Sequence, residues 1–133
     1  VIAACGGSVA GKTVAVLGLT FKPETDDMRD APSLAVVPRL VEAGARLRAF
    51  DPAGMENARA LLPAAVEYAA GALEAARDAD ALVLLTEWNE FRALAPARLR
   101  AAMRGDVVLD LRNVWDPVAM REAGFRYHSI GRP

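Results

Sequence analysis

Three continuous apolar runs constrain this chain more than any other feature: residues 13–19 (TVAVLGL), 81–86 (ALVLLT) and 107–111 (VVLDL). None shows the polar alternation of a strand with one wet face. Each therefore reads as a strand buried on both sides, which requires a parallel sheet covered by helices above and below. The segments between them have the matching character. Leu34, Val37, Leu40 and Val41 recur at helical spacing from Ser33 to Ala43, and Gly44 ends the run as a C-terminal glycine does.

The remaining elements follow in order. Arg46 to Asp51 forms a second strand, Gly54 to Leu62 a short helix ended by Pro63, and Val66 to Tyr68 a short strand. Ala72 to Ala79 is helical, Phe91 to Met103 reads as two helical turns split at Ala95-Pro96, Pro117 to Ala123 is a helix capped by Gly124, and Phe125 to Ile130 is a last strand. Strands and helices alternate throughout, which predicts an α/β fold with a doubly wound, mostly parallel sheet of about six strands in three layers. Val1 to Ala4 looks like the end of an earlier helix and Gly6-Gly7-Ser8 like its terminator. Residues 1–10 are thus expected to close a preceding linker or helix, and 11–133 to form one domain.

Composition narrows the function classes. A chain of 133 residues, 53% hydrophobic and 25% charged, can bury a core without staples. Its 16 basic residues are scattered and the net charge is -1, which argues against nucleic acid as the main partner. Cys5 is the only cysteine, so an internal disulfide is excluded. With no apolar run of membrane-spanning length and no basic-then-apolar leader, the expectation is a cytoplasmic domain without a membrane partner.

Three loops that follow the buried runs should meet at one sheet edge: the segment 20–33, Glu87-Trp88, and Arg112. In open parallel sheets, ligands bind at the carboxyl ends of the strands. Lys22 precedes Pro23, which holds it extended. Asp30 and Pro32 suit the first turn of the following helix, whose free N–H groups, with Lys22 and Arg29, would favour an anion. Against this, Glu24, Asp26, Asp27 and Asp30 outnumber the two cations, so a solvated ion-pair network is an equal reading. Asp26-Asp27 lacks a third convergent ligand for a metal, and turn-capping is its default role.

The other candidates have plainer explanations. Asp51 ends the second strand as a ribose-binding carboxylate would, yet Gly18 stands without a G-x-G-x-x-G set, so turn-capping is the stronger reading. Arg112 lies between Asp110 and Asp116 and is either a surface arginine paired with one of them or a fork for a carboxylate or phosphate. Trp88 and Trp115 read as core or interface anchors, and His128, in an apolar strand pattern, as structural. Cys5 has no nearby histidine or lysine to activate it.

The wording of these loops carries a resemblance. Gly18 to Ser33 (GLTFKPETDDMRDAPS) resembles the opening signature of the C-terminal domain of the UDP-glucose 6-dehydrogenases and related nucleotide-sugar dehydrogenases. Asp51-Pro52, Thr86-Glu87-Trp88-Asn89-Glu90-Phe91, Asp110-Leu111-Arg112-Asn113 and Ile130-Gly131-Arg132 resemble four further segments of that family, in register. The resemblance implies a Rossmann-like UDP-binding domain of an enzyme that oxidises UDP-glucose to UDP-glucuronate in two NAD-dependent steps through a cysteine-bound thiohemiacetal and thioester.

By position, the resemblance places Phe21, Lys22 and Arg112 on the substrate, Arg112 within reach of a neighbouring subunit's site, and Arg29 on the NAD pyrophosphate. It implies an N-terminal NAD-binding domain, a central helical region and a homo-oligomeric enzyme, with no metal. Neither the dinucleotide fingerprint nor a G-G-x-C-x-P-K-D segment occurs in the chain, so catalytic residues are expected elsewhere and the isolated chain should be inactive. A GDP-mannose or UDP-N-acetylmannosamine dehydrogenase is the near alternative; a non-catalytic binding or assembly module is the reading from a different class.

Overall fold

The structure, a computed structural model, describes residues 10–20 and 33–129. Within them the elements run β1 (Thr13–Leu17), α1 (Ser33–Glu42), β2 (Arg46–Phe50), α2 (Met55–Leu61), β3 (Glu67–Tyr68), α3 (Ala72–Ala76), β4 (Ala81–Leu84), α4 (Asn89–Arg92), α5 (Pro96–Ala102), β5 (Val107–Asp110), α6 (Pro117–Glu122) and β6 (Arg126–Ser129). Pro96 opens α5, where a missing N–H costs little, so the split expected at Ala95-Pro96 is present. β1, β4 and β5 end one or two residues inside the expected limits because the last residues of each run already turn into the loops.

All six strands are parallel, in the order β3-β2-β1-β4-β5-β6. This is the doubly wound topology, and its switch point lies between β1 and β4. The uninterrupted apolar runs have the explanation expected of them: β1 sends Val14 and Val16 to one face and Ala15 and Leu17 to the other, and all four are fully buried. Val37 and Leu40 of α1 and Ala58 of α2 cover the first face. Ala72, Ala75 and Ala76 of α3, Leu99 of α5 and Met120 of α6 cover the second, where alanines let α3 lie close against the sheet. The result is three layers.

Gly44 shows why the first crossover ends where it does. It adopts φ +92°, and the amides of Gly44 and Ala45 bond back to the carbonyls of Val41 and Leu40 at 3.0 and 3.1 Å. This left-handed cap turns the chain directly into β2. Among the described residues no helix is long and apolar enough to cross a membrane.

Candidate functional site

The carboxyl edge of the sheet gathers the loops singled out by the sequence, and its centre is the switch point. Gly18, at φ +92°, follows β1 and donates its amide to the Phe50 carbonyl at 2.9 Å. Thr86, just beyond β4, lies directly against it: a Cβ at residue 18 would sit 2.5 Å from the Thr86 Cβ. The Thr86 hydroxyl then donates to the Thr20 carbonyl at 2.6 Å. The crevice that a doubly wound sheet opens at this point is therefore filled by protein.

Asp51 completes the closure. It is fully buried, and its Oδ2 accepts from the Leu19 amide (2.7 Å), the Thr20 amide (3.1 Å) and the Thr20 hydroxyl (3.1 Å). Its Oδ1 accepts from the amides of Ala53 and Gly54 at 2.9 and 2.7 Å. Five donors converge on one carboxylate, and together they satisfy the hydrogen-bonding capacity of a buried anion. The amides after β1 that would otherwise face a pyrophosphate are thus engaged internally. Asp51 has the turn-capping role, and the described residues build no dinucleotide cradle at their own switch point.

Both flanks of the segment 21–32 are tied into this cluster. Thr20 is held as described, and the Ser33 hydroxyl, at the first residue of α1, donates to the Leu19 carbonyl at 2.6 Å. Phe21, Lys22 and Arg29 themselves lie outside the described residues, as do Asp26, Asp27, Asp30, Cys5 and the Ile130-Gly131-Arg132 segment.

Arg112 is described, and its environment corrects an expectation. Neither neighbouring aspartate pairs with its side chain. Asp110, fully buried at the end of β5, accepts from the backbone amides of Arg112 (3.1 Å) and Trp115 (2.8 Å) and from the Tyr127 hydroxyl (2.6 Å). Asp116 instead caps α6 by accepting from the Ala119 amide at 3.2 Å. Asn113 takes a left-handed conformation, φ 56°, which asparagine tolerates better than most residues. A loop held in this way projects Arg112 from the edge.

The partner of Arg112 is Glu87, in the loop after the adjacent strand. Arg112 Nε donates to Glu87 Oε2 and Nη2 to Oε1 at 3.2 Å, a bidentate contact to the side of the guanidinium. The hydrogen bonds that Arg112 donates to the Glu87 carboxylate raise its pKa above the ordinary value, with burial opposing. Register explains the meeting: Leu84 of β4 pairs with Asp110 of β5, so residues two or three positions on in each chain leave the sheet side by side. The sequence placed both loops on one edge but offered no signal for this pair, because charge complementarity could be satisfied by Asp110 or Asp116 at shorter separation.

The tryptophans are buried as expected. Trp115 is 4% exposed, and its indole N–H donates to the Phe91 carbonyl at 2.9 Å, tying the β5 loop to α4. Trp88 is 8% exposed, and its indole N–H finds no acceptor among the described residues. His128 departs from the expected structural role: it lies exposed on β6, the edge strand, where alternation turns it to solvent. Among the described residues no group of three or more His, Cys, Asp or Glu side chains could hold a metal.

Comparison with known proteins adds the family context. Residues 15–117 match the model of the UDP-glucose/GDP-mannose dehydrogenase family, UDP binding domain. The chain is 56% identical to a UDP-glucose 6-dehydrogenase of Rhizobium meliloti, over 100% of this chain and 30% of that protein. Among solved structures, a UDP-glucose dehydrogenase from Pyrobaculum islandicum superimposes with TM-score 0.74 at 34% identity, covering 92% of this chain and 26% of that one. An NDP-N-acetyl-D-galactosaminuronic acid dehydrogenase from Methanosarcina mazei superimposes with TM-score 0.84 at 30% identity, covering 98% and 27%. The chain thus spans about 30% of the length of the curated relatives it matches.

Proposed function

Because the chain belongs to the UDP-glucose/GDP-mannose dehydrogenase family, as its UDP-binding domain, we propose that it is the nucleotide-sugar-binding part of an NAD-dependent UDP-glucose 6-dehydrogenase. The whole enzyme oxidises the C6 hydroxyl of UDP-glucose to a carboxylate in two steps, on a cysteine supplied from outside residues 1–133. It works as a homo-oligomer, and 11–133 is the unit that folds around the substrate's nucleotide end. At the switch point of the described residues, the amides of Leu19 and Thr20 are taken by Asp51 and Thr86 packs onto Gly18, so they form no cradle for NAD there.

What this chain contributes is recognition of an anion. Arg112 is the observation that carries the reading: a guanidinium at the carboxyl edge, with three of its five N–H donors left over by Glu87. A diphosphate is the dianionic group such a fork suits, and a charge-assisted contact of this kind contributes about 1.5–3 kcal/mol. Phe21 and Lys22 are proposed as further substrate contacts and Arg29 as a contact to the NAD pyrophosphate. Identity to a UDP-glucose 6-dehydrogenase supports glucose as the sugar; the fold alone is shared with a dehydrogenase named for another sugar.

The test is substrate choice by the full-length protein, followed as NADH formation. UDP-glucose should give the highest kcat/KM of a panel that includes GDP-mannose and UDP-N-acetylmannosamine. A higher value for either of those would overturn the assignment of the sugar, and no turnover of any of them would return the chain to a binding or assembly role.

A further inference from the structure

We propose that Glu87 is a positioning residue for Arg112, holding the guanidinium by its side so that its end is presented to the anionic group of the nucleotide sugar. The inference rests on the reading of Arg112 as a substrate contact. Arginine carries five N–H donors in a rigid plane. Glu87 takes Nε–H and one N–H of Nη2, the side pair, which leaves both N–H groups of Nη1 and the second of Nη2. One N–H of Nη1 and the free N–H of Nη2 point off the end together, and this pair forms the fork that matches two oxygens of a phosphate, while the other N–H of Nη1 lies on the far side.

The rest of the loop is arranged around the same outcome. Asp110 is the carboxylate closest in sequence, and it is withdrawn into the core by the Trp115 amide, the Tyr127 hydroxyl and the Arg112 amide. It therefore fixes the backbone of Arg112 and leaves the head to Glu87. No other acceptor for the Arg112 side chain occurs among the described residues. Both partners are partly solvated, with side-chain exposures of 35% for Arg112 and 25% for Glu87. Removing Glu87 would thus leave no buried orphan, and a Glu87 variant is expected to fold.

The opposite role would be a gate in which Glu87 competes with the ligand for the guanidinium. The side-on geometry argues against it, since ligand and carboxylate address different N–H pairs. Holding a long, rotamer-rich side chain in its bound orientation before the ligand arrives removes an ordering cost from binding.

Steady-state kinetics of the full-length enzyme with UDP-glucose at saturating NAD distinguish these roles. Glu87→Ala should raise KM about two- to tenfold, the range set by freezing one such side chain, with a smaller change in kcat. Glu87→Gln keeps one acceptor and should fall between it and the wild type. Arg112→Ala should raise KM by about ten- to a hundredfold, and the double variant Glu87→Ala/Arg112→Ala should be no worse than Arg112→Ala alone. If Arg112→Ala raises KM while both Glu87 variants match or improve on the wild type, the positioning role is overturned and the substrate reading of Arg112 stands. If Arg112→Ala leaves KM unchanged, both fall together.

Discussion

Thr86 packs onto Gly18 across the switch point so closely that the site of a Cβ at residue 18 lies 2.5 Å from the Thr86 Cβ and 2.6 Å from its backbone nitrogen. Two parallel strands, β1 and β4, leave the sheet in contact here. The consequence is a closed crevice between the ends of β1 and β4.

Gly18→Ala should therefore be strongly destabilising, by about 2–4 kcal/mol, because overpacking against backbone adds to the strain of a non-glycine residue at φ +92°. Thr86→Ala should not rescue it, since alanine keeps the Cβ and the clashes with that atom and with the residue-86 nitrogen remain. Chemical denaturation of the single and double variants checks both points; recovery in the double variant would show that the threonine hydroxyl and methyl alone oppose a Cβ at residue 18.

Asp51 should be the most sensitive polar residue of the core. Asp51→Asn turns one acceptor into a donor facing amides or the Thr20 hydroxyl that already donate, and should cost about 2–4 kcal/mol. Thermal unfolding measures the loss. Because the same carboxylate fixes Leu19 and Thr20, KM for UDP-glucose should rise as well, even in conditions where the variant is fully folded.

Tyr127→Phe removes one of the two hydrogen bonds to Asp110 Oδ2 but leaves the Trp115 amide in place. The expected loss is about 1 kcal/mol of stability, with a modest increase in KM through the Arg112 loop. Equal stability of the variant and the wild type in urea titration would show that Asp110 is satisfied without the hydroxyl.

The amino edge carries a separate pH dependence. Asp80 accepts from Arg104 Nε and Nη2 at 3.0 and 2.8 Å and from the Thr13 amide at 2.9 Å. The Arg104 hydrogen bonds, opposed by burial and aided by Thr13, hold its pKa below the ordinary carboxylate value of 3.8. A depressed folded-state pKa gives stability that is present above the unfolded value and is lost as pH falls through the folded one. Part of the acid destabilisation below about pH 4 should therefore disappear in Asp80→Asn, read as a flatter dependence of the melting temperature on pH. Arg104 is largely in water, so the effect should also shrink with added salt.

The fold was legible because its signals are local. Runs such as Val14–Leu17 and Ala81–Leu84 are apolar at every position, and only burial on both faces, hence a parallel sheet under helices, accommodates them. Gly44 and Pro96 marked helix ends by backbone rules that need no tertiary context. The gathering of the Gly18, Thr86 and Arg112 loops at one edge followed from the same argument, since each lies just beyond a parallel strand. His128 misled because a hydrophobic neighbourhood in sequence does not specify which face of an edge strand a residue takes.

Tertiary structure alone decided the partners. Asp51 could have faced a ribose; it accepts the amides of Leu19 and Thr20 because β2 lies beside β1 and carries its carboxylate under the turn. Arg112 had aspartates two and four residues away, yet pairs with Glu87 across 25 residues of chain. The reason is physical: Asp110 is drawn inward by donors from Trp115 and Tyr127, and the register of β4 with β5 sets Glu87 where the guanidinium emerges. Composition and periodicity determine which residues are buried; which polar group meets which depends on strand order and register, through distances that the sequence does not contain.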